Sequence, residues 1–357
     1  MNFYNKTTKD LITVPKRFFV PTAKAPQIQS STDTVKQMSV ADILPKIWRL
    51  FCLSGSLTLL TSAFLGTRQS FRVWQRGEQQ RIEQDGRIIE TAVGLVEYQV
   101  VGQGPAILYA HGTPGGYDQG CAFSQFFDTS KCMLISPSRP GYLRTPLTSG
   151  ASPEEQADLY AALLDALGIE QAGMIGFSGG GPSALQFALR YPERCSHLVM
   201  IGAIVRRYCP QETLQAQPFW QQHLARLTEY LLVSDLFLYC ILPLIRLLPF
   251  GHIMAGMLCS GTIYHLRKAG YENDQKHFAA MEEYPLEQIV APTLIVHGTH
   301  DEDVPFSDAE LLLAKVARGR LVPMLKGNHA TFFLQAKILI PIIQKFFLQP
   351  EREPLHS

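Results

Sequence analysis

The sequence predicts an α/β protein built on a largely parallel sheet, and three features of the 357-residue chain predict it. From residue 86 onward, short apolar runs of strand length alternate with helical patterns, which is how strands joined by crossover helices read. One of those runs, 172–175, leads into Gly176-Phe177-Ser178-Gly179-Gly180 and then directly into a helical pattern over 182–190. Over 203–286 the alternation breaks into irregular helical sequence, which predicts a helical lid inserted after the sixth strand.

Composition narrows the class. Charged residues make up 18% of the chain and hydrophobic ones 46%, enough for one large domain with additions. A net charge of +1 gives no reason to expect a nucleic-acid partner. The seven cysteines are odd in number and show no C-x-x-C spacing. That argues against a disulfide scaffold or a zinc site and favours a reducing compartment.

Residues 1–45 have little periodicity and read as a poorly ordered tail. The first long apolar stretch comes too late for a secretory signal. That stretch, 50–66, is uncharged and fenced by Arg49 and Arg68. With Ile47 and Trp48 it approaches the roughly 17–20 residues of a spanning helix. The segment 46–66 is therefore an apolar helix and a candidate membrane anchor. The plainer reading is a helix packed on the domain or lying in the membrane surface. Arg68, Arg72, Arg76 and Arg81 follow it, so an anchored protein would keep its catalytic domain on the cytoplasmic side. A soluble cytoplasmic protein is the alternative. Residues 67–85 form a polar, helical connector to a globular domain over 86–348, and 349–357 is a tail.

Within the domain, 86–91 and 95–101 predict paired strands with Gly94 at their turn. Residues 106–110 are continuously apolar, as expected at the centre of a parallel sheet. Further strands are expected over 131–135, 196–201, 293–296 and 321–325. Helices are expected over 153–167, where Ser152 and Glu155 form a capping pair, and over 307–316 and 330–347. In the lid, 236–250 is strongly apolar, but Pro243, Arg246 and Pro249 exclude a single spanning helix. Such a lid either buries these residues against its own helices or turns them to a bilayer.

Four stretches carry chemistry. G-x-S-x-G between strand and helix marks a nucleophile elbow that exposes the Ser178 hydroxyl. Side chains at Gly176 and Gly180 would collide with the neighbouring strand and helix. His111-Gly112-Thr113-Pro114-Gly115-Gly116 follows the central strand as a small turn through which the backbone can approach an oxyanion. The expected donors are the N–H groups of Thr113 and Gly179. His111 reads as a brace for this loop rather than as the base. In His297-Gly298-Thr299-His300-Asp301-Glu302-Asp303-Val304-Pro305, Asp301 is nearest the strand end and is the expected acid. Glu302 and Asp303 read as solvated charges. Gly327-Asn328-His329 then places His329 between the last strand and helix as the expected base. The order Ser, Asp, His suits this arrangement.

With these motifs in type and order, and with Ser138-Arg139-Pro140-Gly141-Tyr142 between them, the segment from about 86 to 348 resembles the α/β-hydrolase superfamily, in its serine-nucleophile branch. The resemblance implies an eight-stranded, mostly parallel sheet with helices on both faces. It also implies Ser178, Asp301 and His329 as nucleophile, acid and base. The expected activity is hydrolysis of a carboxylic ester, including lipophilic ones, through an acyl-enzyme, with a small acyl compound as substrate and no cofactor or metal. The same triad also serves amide, peptide or C–C hydrolysis. A non-catalytic ligand-binding or interaction protein is the rival of another class. Oligomeric state is not legible.

Overall fold

The computed structural model describes residues 66–215, 218–247 and 251–348. The expected tails and nearly all of the candidate anchor, 46–65, lie outside them. Among the described residues no helix is long and apolar enough to cross a membrane.

Residues 66–85 form helix α1. A hairpin follows, β1 (Arg87–Thr91) and β2 (Gly94–Gly102), then β3 (Ala106–Ala110), α2 (Tyr117–Ser124) and β4 (Met133–Pro137). Next come α3 (Pro153–Ala166), β5 (Ala172–Phe177), α4 (Gly181–Arg190) and β6 (Cys195–Ile201). The insertion carries α5 (Pro210–Gln215), α6 (Phe219–Leu232), α7 (Asp235–Ile245), α8 (Gly251–Cys259) and α9 (Lys268–Ala279). The chain then returns to the sheet through β7 (Thr293–Gly298), α10 (Phe306–Lys315), β8 (Gly319–Met324), α11 (Thr331–Leu334) and α12 (Ala336–Phe347).

The eight strands form one sheet in the order β1-β2-β4-β3-β5-β6-β7-β8. Only β2 runs against its neighbours, and all pairings from β4 to β8 are parallel. The continuous apolar runs have a simple cause: their strands are buried on both faces. Leu108, Met174, Leu198, Met200 and Ile295 enter the core under α3, α4 and α10. Their sequence neighbours Ile107, Tyr109, Ile175, Val199, Ile201 and Leu294 enter the core under α2, α11 and α12. Side chains alternate across a strand, so each run supplies both layers.

Local signals act as expected at α3. The Ser152 hydroxyl accepts from the Glu155 amide at 3.2 Å, and the Glu155 carboxylate accepts from the Ser152 amide at 2.9 Å. Two boundaries differ from the sequence expectation. The strand expected from 131 starts at Met133, because Met133 is the first residue in register with both Gly102 and Ala106. The helix expected over 330–347 is broken at Gln335. The short first piece turns Phe332 into the core and sets Phe333 edge-to-face against Phe177, ring centroids 5.8 Å apart.

The described part of the apolar stretch 236–250, up to residue 247, splits between two surroundings. Leu238 and Leu242 are only 1% and 2% exposed, with Leu242 packed beside Ala255, Cys259 and Trp74 of α1. Leu236, Leu244 and Leu247 point outward. The broader apolar surface lies on α6, where Phe219, Trp220, Leu224, Leu227 and Tyr230 are all 53–75% exposed.

Candidate active site

The elbow sits at the carboxyl end of β5, where the strand hands over to α4 through a single 3₁₀ turn, Ser178–Gly180. Ser178 has φ 50°, in the left-handed region that non-glycine residues avoid, so the turn is strained in a way that projects the hydroxyl. The turn is tight on both sides. A Cβ at Gly180 would strike the carbonyl of Ala110 at the end of β3, and one at Gly176 would lie 2.8 Å from Ala184 of α4.

Two loops bring partners to this serine. The loop after β8 carries His329, and its Nε2 lies 3.0 Å from Ser178 Oγ. The loop after β7 carries Asp301, whose Oδ2 lies 2.8 Å from His329 Nδ1. The other oxygen, Oδ1, accepts from the Asp303 and Val304 amides at 3.0 and 2.9 Å. The carboxylate is thus buried but satisfied, as a buried charge must be. Burial pushes the Asp301 pKa up, but the hydrogen bond and charge of His329, with the Val304 amide, outweigh it and leave it lowered. Burial alone would lower His329, yet the hydrogen bond and charge of Asp301 outweigh it and leave the imidazole raised above 6.5. An ionised Asp301 accepts a hydrogen bond from Nδ1–H, which fixes the tautomer and leaves the Nε2 lone pair to Ser178. Glu302 and Asp303 are exposed. The three residues expected to form the triad therefore lie in one hydrogen-bonded chain.

The loop after β3 lies against the elbow. A Cβ at Gly112 would lie 3.3 Å from Ser178 Cβ, and one at Gly179 would collide with the Thr113 hydroxyl. Thr113 and Gly179 thus face each other beside the serine. The Thr113 amide makes no hydrogen bond among the described residues, so it remains available to a ligand oxygen. His111 is fully buried: Nδ1 donates to Gly112 O at 2.8 Å, and Nε2 accepts from the Arg139 amide at 2.9 Å. Burial first, then the Arg139 charge, lowers its pKa well below 6.5. It is a neutral brace with both nitrogens engaged.

Three contributors were not legible in the sequence. His297 donates from Nε2 to Val304 O at 2.9 Å, 3.5 Å from Asp301 Oδ2, and so holds the acid turn. Arg267 of the insertion donates to Gly115 O at 2.6 Å and pairs with Asp118 at 2.8 Å, both side chains buried. Asp274 of α9 pairs with Arg139 at 2.6 Å. Arg139 lies in the Ser-Arg-Pro-Gly-Tyr turn that the sequence reading picked out. Asp274 lies in irregular helical sequence, where no local signal separates it from surface acids. Asp301, Asp303 and His329 come close enough to ligate one cation. A metal there would compete with the Asp301–His329 hydrogen bond, so the donor set suits proton transfer better.

Comparison with known proteins follows the same lines. A family model described as alpha/beta hydrolase fold matches residues 105–241. An uncharacterized hydrolase, YcgS, of Bacillus subtilis is 30% identical over 233 residues, 60% of this chain and 81% of the relative. A 2-hydroxymuconate semialdehyde hydrolase of Pseudomonas putida is 25% identical over 273 residues, 72% of this chain and 91% of its own. Among solved structures, an alpha/beta hydrolase fold protein from Nakamurella multipartita superposes with a TM-score of 0.61 at 33% identity, covering 73% of this chain and 98% of that one.

Proposed function

The chain belongs to the α/β-hydrolase family, and from that premise we propose that it is a serine hydrolase of carboxylic esters, lipophilic ones included. The observation that carries the reading is the Ser178–His329–Asp301 chain, with contacts of 3.0 and 2.8 Å at a strained elbow. Ser178 Oγ attacks the acyl carbon while its proton passes to His329 Nε2. Asp301 holds the tautomer and stabilises the imidazolium, staying ionised throughout. The carbonyl oxygen, now an oxyanion, turns to the amides of Thr113 and Gly179. The imidazolium gives its proton to the departing alkoxide, which leaves as an alcohol. Water, deprotonated by His329, then attacks the acyl-enzyme, releases the acid and restores Ser178.

The Pseudomonas putida relative supports a second reading, hydrolysis of a C–C bond on the same triad. One experiment separates the two. The folded protein is titrated with a fluorophosphonate, then assayed on p-nitrophenyl esters of rising acyl length and on 2-hydroxymuconate semialdehyde. Ester turnover supports the first reading. Turnover of the semialdehyde alone moves the assignment to C–C hydrolysis. A folded protein that reacts with none of the three overturns the mechanism.

The same reading extends to location. The outward face of α6 suits the surface of a bilayer, since five large apolar side chains lie within one arc of a helix. The uncharged segment 50–66 runs directly into α1 in sequence. Phe71 of α1 packs on Tyr239 of α7, ring centroids 5.6 Å apart, and α7 follows α6 directly. Full-length protein is expected to co-sediment with anionic phosphatidylglycerol vesicles, and Trp220→Ser with Leu227→Ser to weaken that binding. Full-length protein that stays in the supernatant sinks this part of the reading.

A further inference from the structure

The insertion is more than a cover, because one of its side chains is wired into the catalytic loop. Asp274, on α9, is 2% exposed, and Arg139 is 1% exposed. The Asp274 carboxylate accepts two hydrogen bonds from Arg139, from Nη1 at 2.7 Å and Nη2 at 2.6 Å, in a forked pair. It also accepts from the Tyr142 hydroxyl and from the Thr113 hydroxyl at 2.5 Å each. Arg139 completes the circuit: Nη2 donates back to Thr113 Oγ1 at 2.9 Å, and Nε donates to His111 O at 3.0 Å. The Thr113 hydroxyl is therefore held both as donor and as acceptor. One helical turn on, Phe278 of α9 would lie 3.2 Å from a Cβ at Gly179. The same face of α9 thus touches both halves of the expected oxyanion site.

Resting on the serine-hydrolase reading, we propose that Asp274 is a positioning residue: through the Thr113 hydroxyl it fixes the Thr113 amide in line with the Gly179 amide. The oxyanion site is then assembled jointly by the sheet and the insertion. A hydroxyl bound from both sides cannot rotate, and the backbone carrying it is held in turn. Preorganised donors of this kind stabilise a transition state because they need not reorganise as charge develops. Asp274 itself never touches substrate.

The decisive variant is Thr113→Val, which removes the hydroxyl but leaves the Arg139–Asp274–Tyr142 cluster complete. Asp274→Asn is the companion, and its folding is checked first because it unpairs a buried arginine. Rates are taken per fluorophosphonate-titrated site with p-nitrophenyl butyrate, and affinity is measured for a trifluoromethyl ketone that forms a tetrahedral adduct. Thr113→Val is expected to lose about 10²-fold in kcat, the scale of a misplaced catalytic contact, with KM within about twofold. Ketone affinity should fall in step. Thr113→Ser, which keeps the hydroxyl, should retain roughly tenfold more kcat than Thr113→Val. A purely structural role would lower the melting temperature and leave kcat per titrated site and ketone affinity unchanged. That result in Thr113→Val, with wild type reactive, overturns this inference alone. A wild type inert to the fluorophosphonate overturns the hydrolase reading and this inference with it.

Discussion

The loops at the strand ends and the outer helices of the insertion are built by opposite means. The elbow and the acid turn each leave a strand buried on both faces, the histidine loop leaves the edge strand β8, and their polar atoms are tied by short hydrogen bonds. Helix α6 is the contrast: Phe219, Trp220, Leu224, Leu227 and Tyr230 face outward. Between these extremes lies the base of the insertion, where Arg267 and Asp274 hydrogen-bond to Gly115 O and the Thr113 hydroxyl of the loop after β3 and form buried ion pairs with Asp118 of α2 and Arg139 beyond β4. Catalytic geometry requires atoms held within fractions of an ångström, and a close-packed sheet supplies that. Shape-dependent contact with a lipophilic substrate or surface does not require it.

The largest expected effect tests the rigid side. Ser178→Ala should abolish turnover and fluorophosphonate labelling while leaving the unfolding midpoint near wild type. Measurable labelling in that variant would remove the triad altogether. Asp301→Asn comes next, with a loss on the order of 10⁴ in kcat, because an amide presents the wrong partner to the imidazole. Its signature is also a shift in pH dependence. His329 must be unprotonated to act, and its pKa is raised above 6.5, so wild-type kcat/KM should rise with pH along a limb centred above that value. Without the Asp301 charge the limb should move to lower pH. Glu302→Gln and Asp303→Asn are the controls, and a crippled Asp303→Asn would shift the acid assignment by two residues.

Stability measurements then sharpen the contrast within the insertion. Arg267→Met leaves Asp118 buried beside the loop and should cost about 3–5 kcal/mol in denaturant unfolding. Arg190→Met, at a surface pair with Asp158, should cost under about 1 kcal/mol. Leu238→Ala, on the inner face of α7, should cost about 2–5 kcal/mol. The smallest effect belongs to the outer face, where Leu227→Ser on α6 should stay within about 0.5 kcal/mol. A cost at Leu227 equal to that at Leu238 would erase the distinction between the two faces.

Particular residues show why the site was legible and the insertion was not. The elbow reads from sequence because its requirements are local: glycine where Ala110 and Ala184 approach, and serine where the strand turns. Asp301 and His329 read because each follows a strand end at a recognisable turn. Helix α3 announced itself through Ser152 and Glu155, a contact three residues apart. Asp274 could not be read, since its partners Arg139 and Thr113 are 135 and 161 residues away. Nor could 236–250: an apolar helix in the core and one facing outward share the same composition.

By itself the sequence determined the alternating architecture, the strand-borne motifs and the identity of the three residues that form the hydrogen-bonded chain. Period and short-range turn chemistry are written in neighbouring residues, so they survive without knowledge of the rest of the molecule. The tertiary structure decided which apolar side chains of the insertion are core, which charges are paired out of water, and that α9 shares in holding the loop after β3. Those outcomes depend on what lies opposite each side chain across the fold, and burial and pairing are properties of that juxtaposition rather than of the residue.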